Sequence, residues 1–178
     1  DDATSVIGAV AGGKAVVFGS SGGAIVALAL CARYPGSVLA AVAHEPPVFG
    51  MLSPDVPGAD FYDQMSSLYQ QLGTEAMGHQ FASAMGEDGF VWPEDLLHRF
   101  LGNIDYLFGK EWQEWAKFLP DIDALTAADA PLVLAGAAAN RGLLNSIPGV
   151  EIAARTGSTW MEFPGVHLEF FIRPLSFA

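Results

Sequence analysis

Four short apolar runs decide what this chain can fold into. They are Ala15-Val16-Val17-Phe18, Val38-Leu39-Ala40-Ala41-Val42-Ala43, Pro131-Leu132-Val133-Leu134-Ala135-Gly136 and Ser158-Thr159-Trp160-Met161-Glu162-Phe163. Each is bounded by Gly, Pro or a polar cluster, which marks a strand buried in a sheet. Helical stretches lie between them. Residues 2–11 stop at Gly12-Gly13, and residues 22–34 are apolar or small nearly throughout before Pro35-Gly36. Strands apolar on both faces and separated by helices predict an α/β fold: a mostly parallel sheet with helices on both faces.

Residues 51–119 differ. They carry Trp92, Trp112, Trp115, Tyr62, Tyr69 and Tyr106 at mostly helical spacing, with no convincing strand. This predicts a helical cap or lid of about four helices over 51–119, inserted into an α/β core made of 1–50 and 120–178. The expected breaks fall at Gly73, at 86–89 and near Gly102.

Composition removes several function classes. An apolar content of 51% in 178 residues supplies a real core and excludes disorder. Cys31 is the only cysteine, so no disulfide scaffold forms within the chain. Eight Lys and Arg against 20 Asp and Glu, a net charge of −12, argue against nucleic acid and against an anionic membrane surface. The longest glycine-free apolar stretch, 24–32, has nine residues, and a membrane span needs about 20. The opening Asp1-Asp2 has neither Met nor an apolar leader, so we expect a cytoplasmic protein whose natural N-terminus lies upstream.

The first strand runs into Gly19-Ser20-Ser21-Gly22-Gly23, a G-x-S-x-G pattern. Random placement of the glycines and serines of this chain gives roughly 0.14 such matches, so the pattern alone is weak. Its setting carries more weight. A buried strand before it and a buried helix after it make a nucleophile elbow, the sharp turn that exposes one serine. The bland alternative is a glycine-rich turn that only packs helix on strand. A serine needs a base. His79 and His98 fall in the predicted cap helices, where packing or solvent roles are expected, whereas His167 follows the last strand, where a parallel sheet presents functional groups.

Residues 16–47, 131–142 and 162–167 together resemble the C-terminal two-thirds of an α/β-hydrolase, of the small bacterial esterase-like kind. The resemblance rests on Val17-Phe18-Gly19-Ser20-Ser21-Gly22-Gly23, on His44-Glu45-Pro46-Pro47 and on Phe163-Pro164-Gly165-Val166-His167. It implies Ser21 as nucleophile, His167 as base and the Gly22 amide as oxyanion donor, with no cofactor. Where the family usually places its acid, this chain reads Gly136-Ala137-Ala138-Ala139-Asn140-Arg141, with no carboxylate. Haloalkane dehalogenases, which share the fold, place a Glu at the end of the preceding strand, and Glu45 stands there. We therefore expect Glu45 as the orienting acid. A triad without a working acid, or one using Asp121, Asp123 or Asp129, stays open.

The family's front strands and second oxyanion donor precede the elbow, and only about 14 residues precede the first strand here. That predicts a fragment or one half of a two-chain enzyme, with a companion polypeptide supplying the missing strands. No C-x-x-C, H-E-x-x-H or EF-hand spacing argues for a metal. His44 and Glu45 are adjacent, so on a regular strand they point to opposite faces. Met65, Phe81, Trp92, Phe108 and Trp115 are the candidates for lining a substrate pocket, which would then take a small ester-like molecule with an apolar part. The expected activity is hydrolysis of a carboxylic ester through an acyl-enzyme on Ser21. The rival from another class is a non-catalytic subunit of the same fold that binds a ligand or partner chain.

Overall fold

The computed structural model describes residues 1–85 and 92–177. The break expected at 86–89 lies outside them. The elements run α1 (Asp2–Ala11), β1 (Ala15–Ser20), α2 (Gly22–Arg33), β2 (Val38–His44), α3 (Phe61–Met85), α4 (Glu94–Gly102), α5 (Ile104–Tyr106), α6 (Trp112–Lys117), α7 (Ile122–Ala127), β3 (Leu132–Ala137), α8 (Ile147–Thr156), β4 (Thr159–Phe163), α9 (Glu169–Ile172) and α10 (Pro174–Phe177). The four strands form one sheet in the order β1-β2-β3-β4, and all three pairings are parallel. The chain is therefore α/β, with each expected strand present to within two residues at either end.

Helices cover the two faces unequally. On one face α2 packs on β1 and β2, α8 packs on β3 and β4, and α7 touches both helices. Ala24, Leu28, Cys31, Ala43, Leu134 and Ile152 meet there as the buried core. On the opposite face, among the described residues, the short α9 and α10 meet β1. Phe18 meets the rings of Phe170 and Phe177 at 5.8 and 6.0 Å. On that face Val16 stays 70% exposed and Met161 45%.

The described residues of the segment from α3 to α6 are mostly helical, with a second core of Tyr62, Met77, Ile104, Phe108 and Trp112. The α3 helix breaks at Gly73, where φ is 75°, a conformation that glycine adopts without cost. A π turn over Leu107–Glu111 joins α5 to α6. One hydrogen bond inside the segment and one to the loop after β2 hold it in place. The Trp112 indole donates to the Tyr62 carbonyl at 3.1 Å, and the Tyr62 hydroxyl donates to the Pro47 carbonyl at 2.6 Å. Among the described residues, no helix is long and apolar enough to cross a membrane.

Candidate active site

Parallel strands bring their C-terminal ends to one edge of the sheet, and four loops from that edge build the site. The register sets Ser20, His44, Ala135 and Met161 in one row, so β1 and β2 end level and β3 and β4 run two residues further.

The first loop is the elbow. Ser21 has φ 56° and ψ −127°, outside the regions that a side-chain-bearing residue normally occupies. Its N–H donates to the His44 carbonyl at 3.0 Å, which holds the turn on the neighbouring strand. Gly19 is required here because a Cβ would overlap the Gly23 carbonyl. Gly22 opens the 12-residue α2, and first-turn N–H groups have no partner inside the helix.

The second loop carries Glu45, with φ 46°. Among the described residues, Ser21 and Glu45 are the two non-glycine positions in left-handed backbone. Such strain persists where surrounding structure enforces it. The Glu45 carboxylate is 1% exposed. It accepts from the Ala137 N–H at 3.1 Å and from the Asn140 amide at 3.0 and 3.1 Å, and it pairs with His167 Nδ1 at 2.5 Å. Burial pushes its pKa up. The hydrogen bond and charge of His167, with the Ala137 and Asn140 donors, outweigh burial and hold the carboxyl below its ordinary value. An ionised carboxylate only accepts, so Nδ1 is the donor in this pair, and in the neutral imidazole that tautomer keeps the lone pair on Nε2.

The fourth loop holds His167, which is 7% exposed. Glu169 fixes that loop. Its carboxylate accepts from the Val166 N–H at 3.2 Å and from the Arg173 guanidinium at 2.5 and 2.9 Å. Those Arg173 hydrogen bonds, despite the opposing effect of burial, keep the Glu169 carboxyl well below the usual range.

His44 is a polar core residue that sequence reasoning left without a role. Its ring is fully buried, its Nδ1 lies 2.9 Å from Ser20 Oγ, and its Nε2 has no partner. Burial pulls its pKa down to about 4, with the Glu45 charge opposing and His167 assisting.

The expectation that His44 and Glu45 point apart is corrected by the structure. One ligand-type atom from each, with one from His167, falls within 4.8 Å of the others. The left-handed φ of Glu45 breaks the strand alternation on which that expectation rested. The cluster is built as a hydrogen-bonded pair. Glu45 and His167 approach to 2.5 Å, whereas two ligands on a tetrahedral Zn²⁺ stand about 3.3 Å apart.

Ser21, Gly22, Glu45 and His167 all border one cavity of about 370 Å³. No hydrogen bond joins Ser21 to His167 in this structure, and catalytic bonds of this kind often tighten only around substrate. Of the expected lining residues, Phe81, Trp92 and Trp115 border the cavity. Met65 and Phe108 do not. Phe108 is 4% exposed inside the helical core, and Met65 packs on the same core. Helical spacing shows which residues are apolar but not which stripe turns to the cavity. Phe49, Phe61, Phe100, Leu107, Trp112, Asn145 and Leu168 add to the wall beyond the expected set, as do Ser20, Gly23 and Pro47. Among the described residues that line the cavity, Glu45 and His167 are the carboxylate and imidazole side chains. His79 and His98 are exposed, as expected.

No protein-family model matches the chain. A protein from Bacillus subtilis (strain 168), described as the uncharacterized hydrolase YraK, is 29% identical over 172 residues. The match covers 94% of this chain and 62% of that protein, so the chain spans under two-thirds of its relative's length. Among solved structures, an α/β-hydrolase from Sphaerobacter thermophilus superposes with a TM-score of 0.59 at 18% identity, covering 92% of this chain and 65% of that one. A thermophilic esterase from Thermogutta terrifontis gives 0.66 at 18% identity, with 98% and 65% covered.

Proposed function

Given the α/β-hydrolase fold of this chain, we propose that it is a serine hydrolase acting on small carboxylic esters with an apolar body. One observation carries the reading: the buried Glu45–His167 pair opens, beside the strained Ser21, into a single apolar cavity. The esterase likeness and the hydrolase name of the relative support the same class.

The steps follow from the donors in place. Ser21 Oγ attacks the ester carbonyl carbon while His167 Nε2 takes the hydroxyl proton. The carbonyl oxygen gains the electron pair and lies against the Gly22 N–H and the start of α2. Glu45 stabilises the imidazolium through Nδ1 and keeps the ring turned. The C–O bond to the alcohol then breaks, and the alcohol oxygen leaves with the proton from Nε2. Water repeats the sequence on the acyl-enzyme, and the acid leaves with Ser21 restored. The described residues 61–117 act in this reading as a cap whose aromatic side chains exclude water from the cavity.

Intact mass after fluorophosphonate treatment tests it. One adduct, absent in Ser21→Ala, is expected, and no adduct on the wild-type chain removes the hydrolase reading. A second reading, a ligand-binding subunit without turnover, draws on the unmade Ser21–His167 hydrogen bond. It requires ligand binding to survive unchanged in Ser21→Ala and His167→Ala.

A further inference from the structure

Gly22 has a neighbour that its motif does not demand. A Cβ at this position would fall on Cζ2 and Cη2 of the Trp115 indole, too close for any real side chain. The position after the nucleophile in G-x-S-x-G is free to carry a side chain, so here the indole occupies the space that side chain would take. Trp115 is half-buried on α6, with Trp112 at 6.1 Å between ring centroids, and both rings line the cavity.

We propose that Trp115, seated on Gly22, limits the acyl part of the substrate to a short chain, while the aromatic cavity takes the alcohol part. The inference rests on the serine-hydrolase reading. Its logic is geometric. The leaving alcohol oxygen has to collect its proton from His167 Nε2, so the alcohol lies on the side of His167 and Leu168. The carbonyl oxygen sits at the Gly22 N–H. The remaining substituent, the acyl chain, then points away from His167 along α2, under the Trp115 ring. Beyond one or two carbons it meets the indole. Moving that ring costs its contacts with Gly22 and Trp112.

The test compares kcat/KM for p-nitrophenyl acetate and p-nitrophenyl octanoate, per fluorophosphonate-reactive serine, in the full chain. The octanoate-to-acetate ratio is expected to rise about tenfold or more in Trp115→Ala, with a smaller rise in Trp115→Phe, the scale on which hydrophobic pockets discriminate added methylenes. Gly22→Ala keeps its N–H but collides with the indole, so it is expected to lose at least about tenfold on acetate and to recover in the Gly22→Ala, Trp115→Ala double variant. A ratio unchanged within threefold in Trp115→Ala, or no recovery in the double variant, overturns the proposal while a Ser21 adduct keeps the hydrolase reading. A wild-type chain that forms no adduct overturns both.

Discussion

Asn140 stands where a carboxylate is usual for this fold and donates its amide to the carboxylate that stands elsewhere. Glu45 and Asn140 thus work as a pair, with Asn140 positioning Glu45 and Glu45 positioning His167. Glu45→Gln removes the negative charge and offers Nδ1 an amide that supports either tautomer. We expect kcat to fall by about 10³ to 10⁴ with the far-ultraviolet circular dichroism unchanged, by analogy with the serine-protease acid. An unchanged kcat removes Glu45 from the mechanism. His44 gives a stability prediction. Its folded pKa, about 4, lies below its ordinary value of 6.5, so the unfolded chain takes up the proton first as pH falls. The stability tied to neutral His44 is complete above pH 6.5 and is lost between there and about pH 4. Glu45 adds its own acid loss only below its ordinary value of 4.5. His44→Phe keeps a flat ring among Phe18, Phe163, Phe170 and Phe177 and is expected to flatten the slope of Tm between pH 6.5 and 4.5.

The unit β1–elbow–α2 depends on two glycines with opposite demands. A Cβ at Gly19 collides with the Gly23 carbonyl, which is backbone and cannot step aside, whereas a Cβ at Gly23 meets nothing within 4 Å. Gly19→Ala is expected to cost about 1–3 kcal/mol, a fall in Tm of roughly 3–10 °C for a chain of this size. Gly23→Ala is expected to leave Tm unchanged or slightly raised, since Ala is the better helix former. Thermal melts of both variants decide it. The strands were legible in the sequence because β1, β2 and β3 are apolar without interruption. The elbow was legible because its glycines follow such a run. Glu45 was legible only as a position, since nothing in His44-Glu45-Pro46-Pro47 announces the left-handed turn that carries its carboxylate to His167. The cavity wall was legible in part. Trp115 on α6 and Phe108 in the π turn before it lie seven residues apart, the spacing of two α-helical turns, yet one lines the cavity and the other is core. The π turn between them shifts the helix phase, and no sequence periodicity reports it.

At the scale of the molecule, β1 is an edge strand whose outer face shows Val16 and Phe18, 70% and 46% exposed. The unpaired backbone of an edge strand attracts further strands, and exposed apolar side chains on its face invite cover. The proposal of a companion segment in contact with β1 draws on this surface. The chain by itself is expected to bind a dye such as anilinonaphthalene sulfonate, and Val16→Lys and Met161→Lys are expected to reduce that fluorescence with Tm changed by no more than about 2 °C. Dye binding equal in wild type and variants places the apolar surface elsewhere. The site is distributed unevenly over the same molecule. Ser21 hangs by its N–H on the His44 carbonyl, and the very next residue is Glu45. In the proposed mechanism, nucleophile and acid therefore share one rung between neighbouring strands, while His167 arrives 122 residues after Glu45 and is tied to it through Nδ1. On that mechanism, displacing the imidazole alone would leave the other two parts in step, so the imidazole is the clutch of the machine: engaged, the three parts turn together; slipped, the serine idles without losing its place.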